Sequence, residues 1–208
     1  MKLQISKYCM VNGGQILIDG ETVFLDKSRE NFKEFIIEAY KQKYITYPKF
    51  FKMDNLAKLG FVASELLLRD VMDRNIPKAE MGIILANRSS SLDTDEKYQK
   101  TITPGEDYFP SPSVFVYTLP NIAIGEICIR NKILGENTFF ISEHFDSDML
   151  CNYVIQLFIK KAVSSCLTGW LEFKNDEYFA FLMLIEEHTE SDKIIFDADT
   201  VNELYKRF

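Results

Sequence analysis

The sequence predicts an α/β layered domain, with helices packed on a mixed β-sheet, and three observations carry that expectation. Segments with helical apolar spacing alternate with short strand-like runs, and two strand-like segments stand next to each other late in the chain. Residues 81–85, MGIIL, form a continuous apolar run of the kind a sheet buries on both faces. Hydrophobic residues make up 47% of the 208 and aromatic ones 13%, which is enough for a sizeable core and too much for a disordered chain. No repeat, low-complexity tract or Pro/Gly/Ser-rich linker divides the sequence, so one domain over residues 1–208 is expected.

The first 25 residues read as strands punctuated by turns at Asn12-Gly13-Gly14 and Asp19-Gly20. Phe32, Phe35, Ile36, Ala39 and Tyr40 recur at helical spacing within 29–42. A second helix follows Asp54, a suitable N-cap, with Leu56, Leu59, Val62, Ala63, Leu66 and Leu67 on one face. Gly60 in its interior costs about 1 kcal/mol relative to alanine, so a close helix contact is expected there. After the 81–85 strand come a polar helix over 92–100 and an irregular stretch where prolines cluster. Pro120 suits the opening of a helix over 121–132, and Gly135 its end. Strand 138–142 and helix 146–162 follow, the latter carrying Leu150, Tyr153, Val154, Leu157 and Phe158. Strands at 167–173 and 178–186 flank a KNDE turn, and TVNELYKRF closes the chain as a helix.

Composition narrows the function. A net charge of −7 repels phosphates, so nucleic acid is not expected as a partner. No apolar run reaches membrane-span length, and the first 14 residues lack a long apolar stretch with a small-residue cleavage site; a cytoplasmic protein without a membrane partner is expected. Cys9, Cys128, Cys151 and Cys166 are widely spaced and read as reduced apolar groups. With His144 and His188 the only histidines, no metal site is expected, and without a dinucleotide or phosphate loop no cofactor either. Five lysines (41, 43, 49, 52, 58) against Asp54 form either a docking surface for an acidic partner or a solvated loop and helix start.

Residues 135–148, GENTFFISEHFDSD, raise the main functional question. A strand here runs into a helix start, where amide groups stabilise anions, and Glu143, His144, Asp146 and Asp148 arrive together. Three blocks, YPKFFKMDNLAKLGFVASELLL, EMGIILANRSSSLDT and SPSVFVYTLPNIAIGEICIRNKILGENTFFIS, together resemble the N-terminal half of a β-ketoacyl synthase. Leu119, Pro120, Asn121, Gly125, Ile127, Ile129 and Arg130 match that family's helix pattern, and Gly135 and Asn137 match the Gly-x-Asn that introduces its nucleophile strand. The resemblance implies one thiolase-like half-domain.

It departs from the family where the chemistry lies. The family's Thr-Ala-Cys falls on Ser142, Glu143 and His144, so no cysteine occupies the nucleophile position. The family's two catalytic histidines lie in a C-terminal half for which this sequence is too short, and His188 is outside any matching segment. Carboxylates at Glu143, Asp146 and Asp148 suit helix capping and oppose a second anion. The expectation is therefore a catalytically inactive synthase-like protein, a structural or regulatory partner in fatty acid or polyketide-type acyl-chain synthesis. The alternatives are an acyltransferase or hydrolase using His144 with Glu143 and Asp146, a synthase half completed by a second chain, or an acyl- or carrier-binding module. Partners implied by the resemblance are a second copy, a synthase-like protein or an acyl carrier protein. Synthases pair through the strand before the nucleophile, so Phe139 and Phe140 are expected at an interface of about 2,000 Å² that also uses helix 121–132. Lys49 and Lys52 are the candidate docking residues for an acidic partner.

Overall fold

The computed structural model describes residues 2–26, 31–104, 108–187 and 194–207. The strands are β1 (Leu3–Asn12), β2 (Gln15–Ile18), β3 (Glu21–Leu25), β4 (Met81–Asn87), β5 (Asn137–Ile141), β6 (Ser165–Lys174), β7 (Glu177–Glu187) and β8 (Ile194–Ile195). The helices are α1 (Phe32–Gln42), α2 (Asn55–Leu68), α3 (Leu92–Ile102), α4 (Pro112–Phe115), α5 (Asn121–Asn131), α6 (Ser147–Ile159) and α7 (Ala198–Lys206). A 3₁₀ turn over Pro48–Lys52 precedes α2, and His188 lies outside the described residues.

One mixed sheet runs β3-β2-β1-β7-β6-β4-β5, with β8 also on β1. β4 is parallel to both β5 and β6, and the other pairings are antiparallel. Helices α1, α2 and α5 build the core on one face; α6 and α7 build it on the other. The expected layers and mixed sheet are present. Asn175 and Asp176, both at positive φ, make the tight turn joining β6 to β7. Asp54 caps α2 by accepting from the Ala57 N–H at 2.8 Å.

Three local expectations change. Helix α2 is buried nearly all round rather than on one face, because it lies between the sheet and α1 and α5. At Gly60 a β-carbon would stand 2.7 Å from Leu171 of β6, so the close contact is with the sheet. Gly135 does not end α5; Lys132 does so in the left-handed conformation, its N–H returning to the Cys128 carbonyl. Gly135 serves β4 instead. A β-carbon there would lie 2.4 Å from the Met81 carbonyl oxygen and 3.0 Å from that of Ala79, a gap that only glycine fits.

Candidate functional site

The candidate site lies at the C-terminal ends of the parallel strands, where open α/β sheets place their ligands. The Ser142 N–H donates to the Asn87 carbonyl at 2.9 Å, holding the chain to β4 one residue beyond the end of β5. Glu143 and His144 then sit exposed on a bend. Asp146, not His144, occupies the helix start. Its Oδ1 accepts the Met149 N–H at 2.8 Å, its carbonyl accepts the Leu150 N–H, and Asp148 stands in the first turn. The positive end of α6 is thus served by its own carboxylates. Replacing Asp146 by alanine is expected to cost about 1 kcal/mol in denaturant unfolding, and replacing Asp148 less. Equal stability of both variants with the parent would place the helix start elsewhere.

A cleft of about 450 Å³ adjoins His144, lined also by Arg88, Glu143, Trp170, Glu172 and Tyr205. Phe145 plugs it toward the core. Its ring stacks on Tyr205 of α7 at 4.0 Å between centroids and meets Trp170 edge-on at 5.9 Å. Sequence reading missed this aromatic group, whose members come from three distant segments with no shared local signal. Glu172, also missed, accepts the backbone N–H groups of Arg88 and Ser89, fixing the loop after β4.

Burial raises the thiols of all four cysteines. Cys151 is buried, and desolvation with help from Asp197 and Asp148 pushes its thiol up to about 12. Burial pushes Cys128 up to about 11 and raises Cys9 and Cys166 as well. A neutral thiol is a poor nucleophile.

Of the residues that carry the family resemblance, Arg130 ties two helices together. Arg130 grips Glu65 of α2 through Nε at 2.8 Å and a terminal nitrogen at 3.2 Å, with its guanidinium over the Tyr47 ring. Arg74 reaches the same carboxylate at 3.1 Å. Of the candidate partner residues, Lys49 pairs at 2.9 Å with the buried Glu126, which also accepts from the Tyr117 hydroxyl; Lys52 is exposed. Phe139 packs on the α2–α5 face and Phe140 on the α6 face, edge-on to Tyr153 at 5.0 Å.

No protein-family model matches the chain, and no curated protein sequence does. Solved structures do match. The ishigamide ketosynthase/chain length factor superposes with a TM-score of 0.69 at 16% identity, over 93% of this chain and 64% of that one. A ketosynthase in complex with its chain length factor from Xenorhabdus doucetiae gives 0.58 at 14%, over 91% and 80%. A type II polyketide ketosynthase, bound to a hexaketide and in complex with its acyl-carrier protein, gives 0.63 at 14%, over 90% and 62%. The chain thus spans less than two thirds of the first of these. At such identity the likeness establishes the fold, which is ketosynthase-like and of the thiolase type.

Proposed function

We propose that this chain is a catalytically silent ketosynthase-fold protein that acts by pairing with a synthase-like chain during fatty acid or polyketide-type acyl-chain assembly. One observation carries the reading. At the end of β5, where the resemblance puts a nucleophile, Asp146 caps α6 and Phe145 fills the depth against Tyr205. An acyl-enzyme needs an activated nucleophile, and a helix N-terminus free of carboxylates is one way to favour its anion. His144 is exposed, and Asp146 Oδ1 accepts the Met149 N–H, which disfavours an acid–base pair between the two. The ketosynthase/chain length factor assemblies among the structural neighbours support a pairing role. The neighbour held by an acyl-carrier protein supports a carrier as a further partner, with Lys52 the more available of the two candidate lysines.

The test is intact-mass spectrometry of the purified chain incubated with acyl- and malonyl-loaded carrier protein. No β-ketoacyl product and no added acyl mass are expected. Stoichiometric acylation at any cysteine, or at His144, would overturn the silent reading.

A further inference from the structure

We infer that the cleft beside His144 binds a small zwitterion, an α-amino acid with an aromatic side chain. The inference takes the cleft to be free of an acyl-enzyme, as the proposed function has it, and adds the class of ligand.

Charge argues against simpler ligands. Of the fixed charges lining the cleft, Arg88 and Lys206 are cations and Glu143 and Glu172 are anions, so it selects neither a plain anion nor a plain cation. Opposite charges in one cleft neutralise each other where they can pair, yet among the described residues none of these four forms an ion pair. The backbone keeps two of them apart. Glu172 Oε2 accepts the Arg88 N–H at 2.8 Å and the Ser89 N–H at 3.3 Å, so the carboxylate is tied to the main chain of the residue whose guanidinium it would otherwise meet.

The other oxygen of Glu172, Oε1, is buried and accepts no hydrogen bond among the described residues. A buried acceptor without a donor costs free energy that a ligand N–H recovers. An ammonium is the donor that suits a carboxylate. The Arg88 guanidinium, carried by the residue that Glu172 grips, is then close enough to take a carboxylate of the same ligand. An α-amino acid has this short span, with both charges attached to one carbon.

The rest of the wall is aromatic. Trp170, Phe145, Phe179 and Tyr205 line it, and Phe179 stands edge-on to Tyr205 at 5.3 Å. Phe145, Phe179 and Tyr205 are each half-buried, so ring surface remains for a flat side chain. Both signs of charge act on the Tyr205 hydroxyl: burial raises it, Glu172 adds to that, and Arg88 opposes it. The volume of about 450 Å³ is in the range of small-molecule sites.

Trp170 is the single tryptophan of the chain, so its fluorescence reads this cleft directly. The probe is L-phenylalanine, with phenethylamine and phenylpropionate as analogues that each lack one charge. L-phenylalanine should give a saturable change, and each analogue should bind about tenfold more weakly, the loss of one charge-assisted hydrogen bond. Glu172→Gln keeps an oxygen for the two loop N–H groups and removes the charge. It should weaken L-phenylalanine about tenfold and leave phenylpropionate unchanged. Arg88→Met should weaken L-phenylalanine by a similar factor and leave phenethylamine unchanged. Phenylpropionate binding as tightly as L-phenylalanine would make the cleft an anion site and overturn the inference. So would the absence of a saturable change up to about 10 mM L-phenylalanine. The titration reads the cleft and the mass test reads the acyl-enzyme, so either reading can fail without the other.

Discussion

Arg130→Met is expected to destabilise the protein by about 3 kcal/mol, the low end of what breaking a buried ion pair costs. Glu65 is 1% exposed on a helix that is itself buried nearly all round. Arg130 supplies two of the short contacts to its carboxylate; after the substitution Arg74 alone remains, with one contact at 3.1 Å. A half-compensated carboxylate in the core is the unfavourable state, so removing the charge as well should recover stability. Arg130→Met combined with Glu65→Leu should therefore lie closer to the parent than the single variant does. Urea unfolding at neutral pH measures both. If the single variant matches the parent, the contact between α2 and α5 rests on apolar packing and not on this pair.

Gly135→Ala is expected to be at least as damaging, at about 3 kcal/mol or more. The three atoms nearest the new β-carbon are all backbone: the Met81 oxygen and carbon and the Ala79 oxygen. None is the movable end of a side chain, and β4 is buried along its whole length. Relief requires β5 to draw away from β4, so pairing along β5 should be lost together with stability. Gly125→Ala is the control, because a β-carbon there has nothing within 4 Å. It lies inside α5, where replacing glycine should stabilise by about 0.5–1 kcal/mol. Thermal unfolding and light scattering of the two variants separate these outcomes. A stable, dimeric Gly135→Ala would show that the gap beside Met81 closes without strain.

These two positions explain why the resemblance is readable in the sequence. Gly135 and Arg130 belong to the pattern that suggested the family, and in the structure both hold the fold: one lets β5 approach β4, the other neutralises a buried carboxylate. The site was less legible. Asp146 and Asp148 were both candidate caps from their place before an apolar helical run, and only the backbone geometry assigned the cap to Asp146. Lys49, taken as a docking residue, carries an ion pair with Glu126 that no local pattern announces.

What the sequence determined by itself were the features settled by near neighbours. The turns at Gly13-Gly14 and Asn175-Asp176, the cap at Asp54 and the apolar run of β4 all depend on a few adjacent residues. Only the tertiary structure decided that α2 is enclosed, that Lys132 rather than Gly135 ends α5, and that Phe145 rests on Tyr205. Those outcomes depend on which distant surfaces meet. Helical spacing describes the side chains a helix offers, but the number of its faces that are covered is set by the elements packed around it.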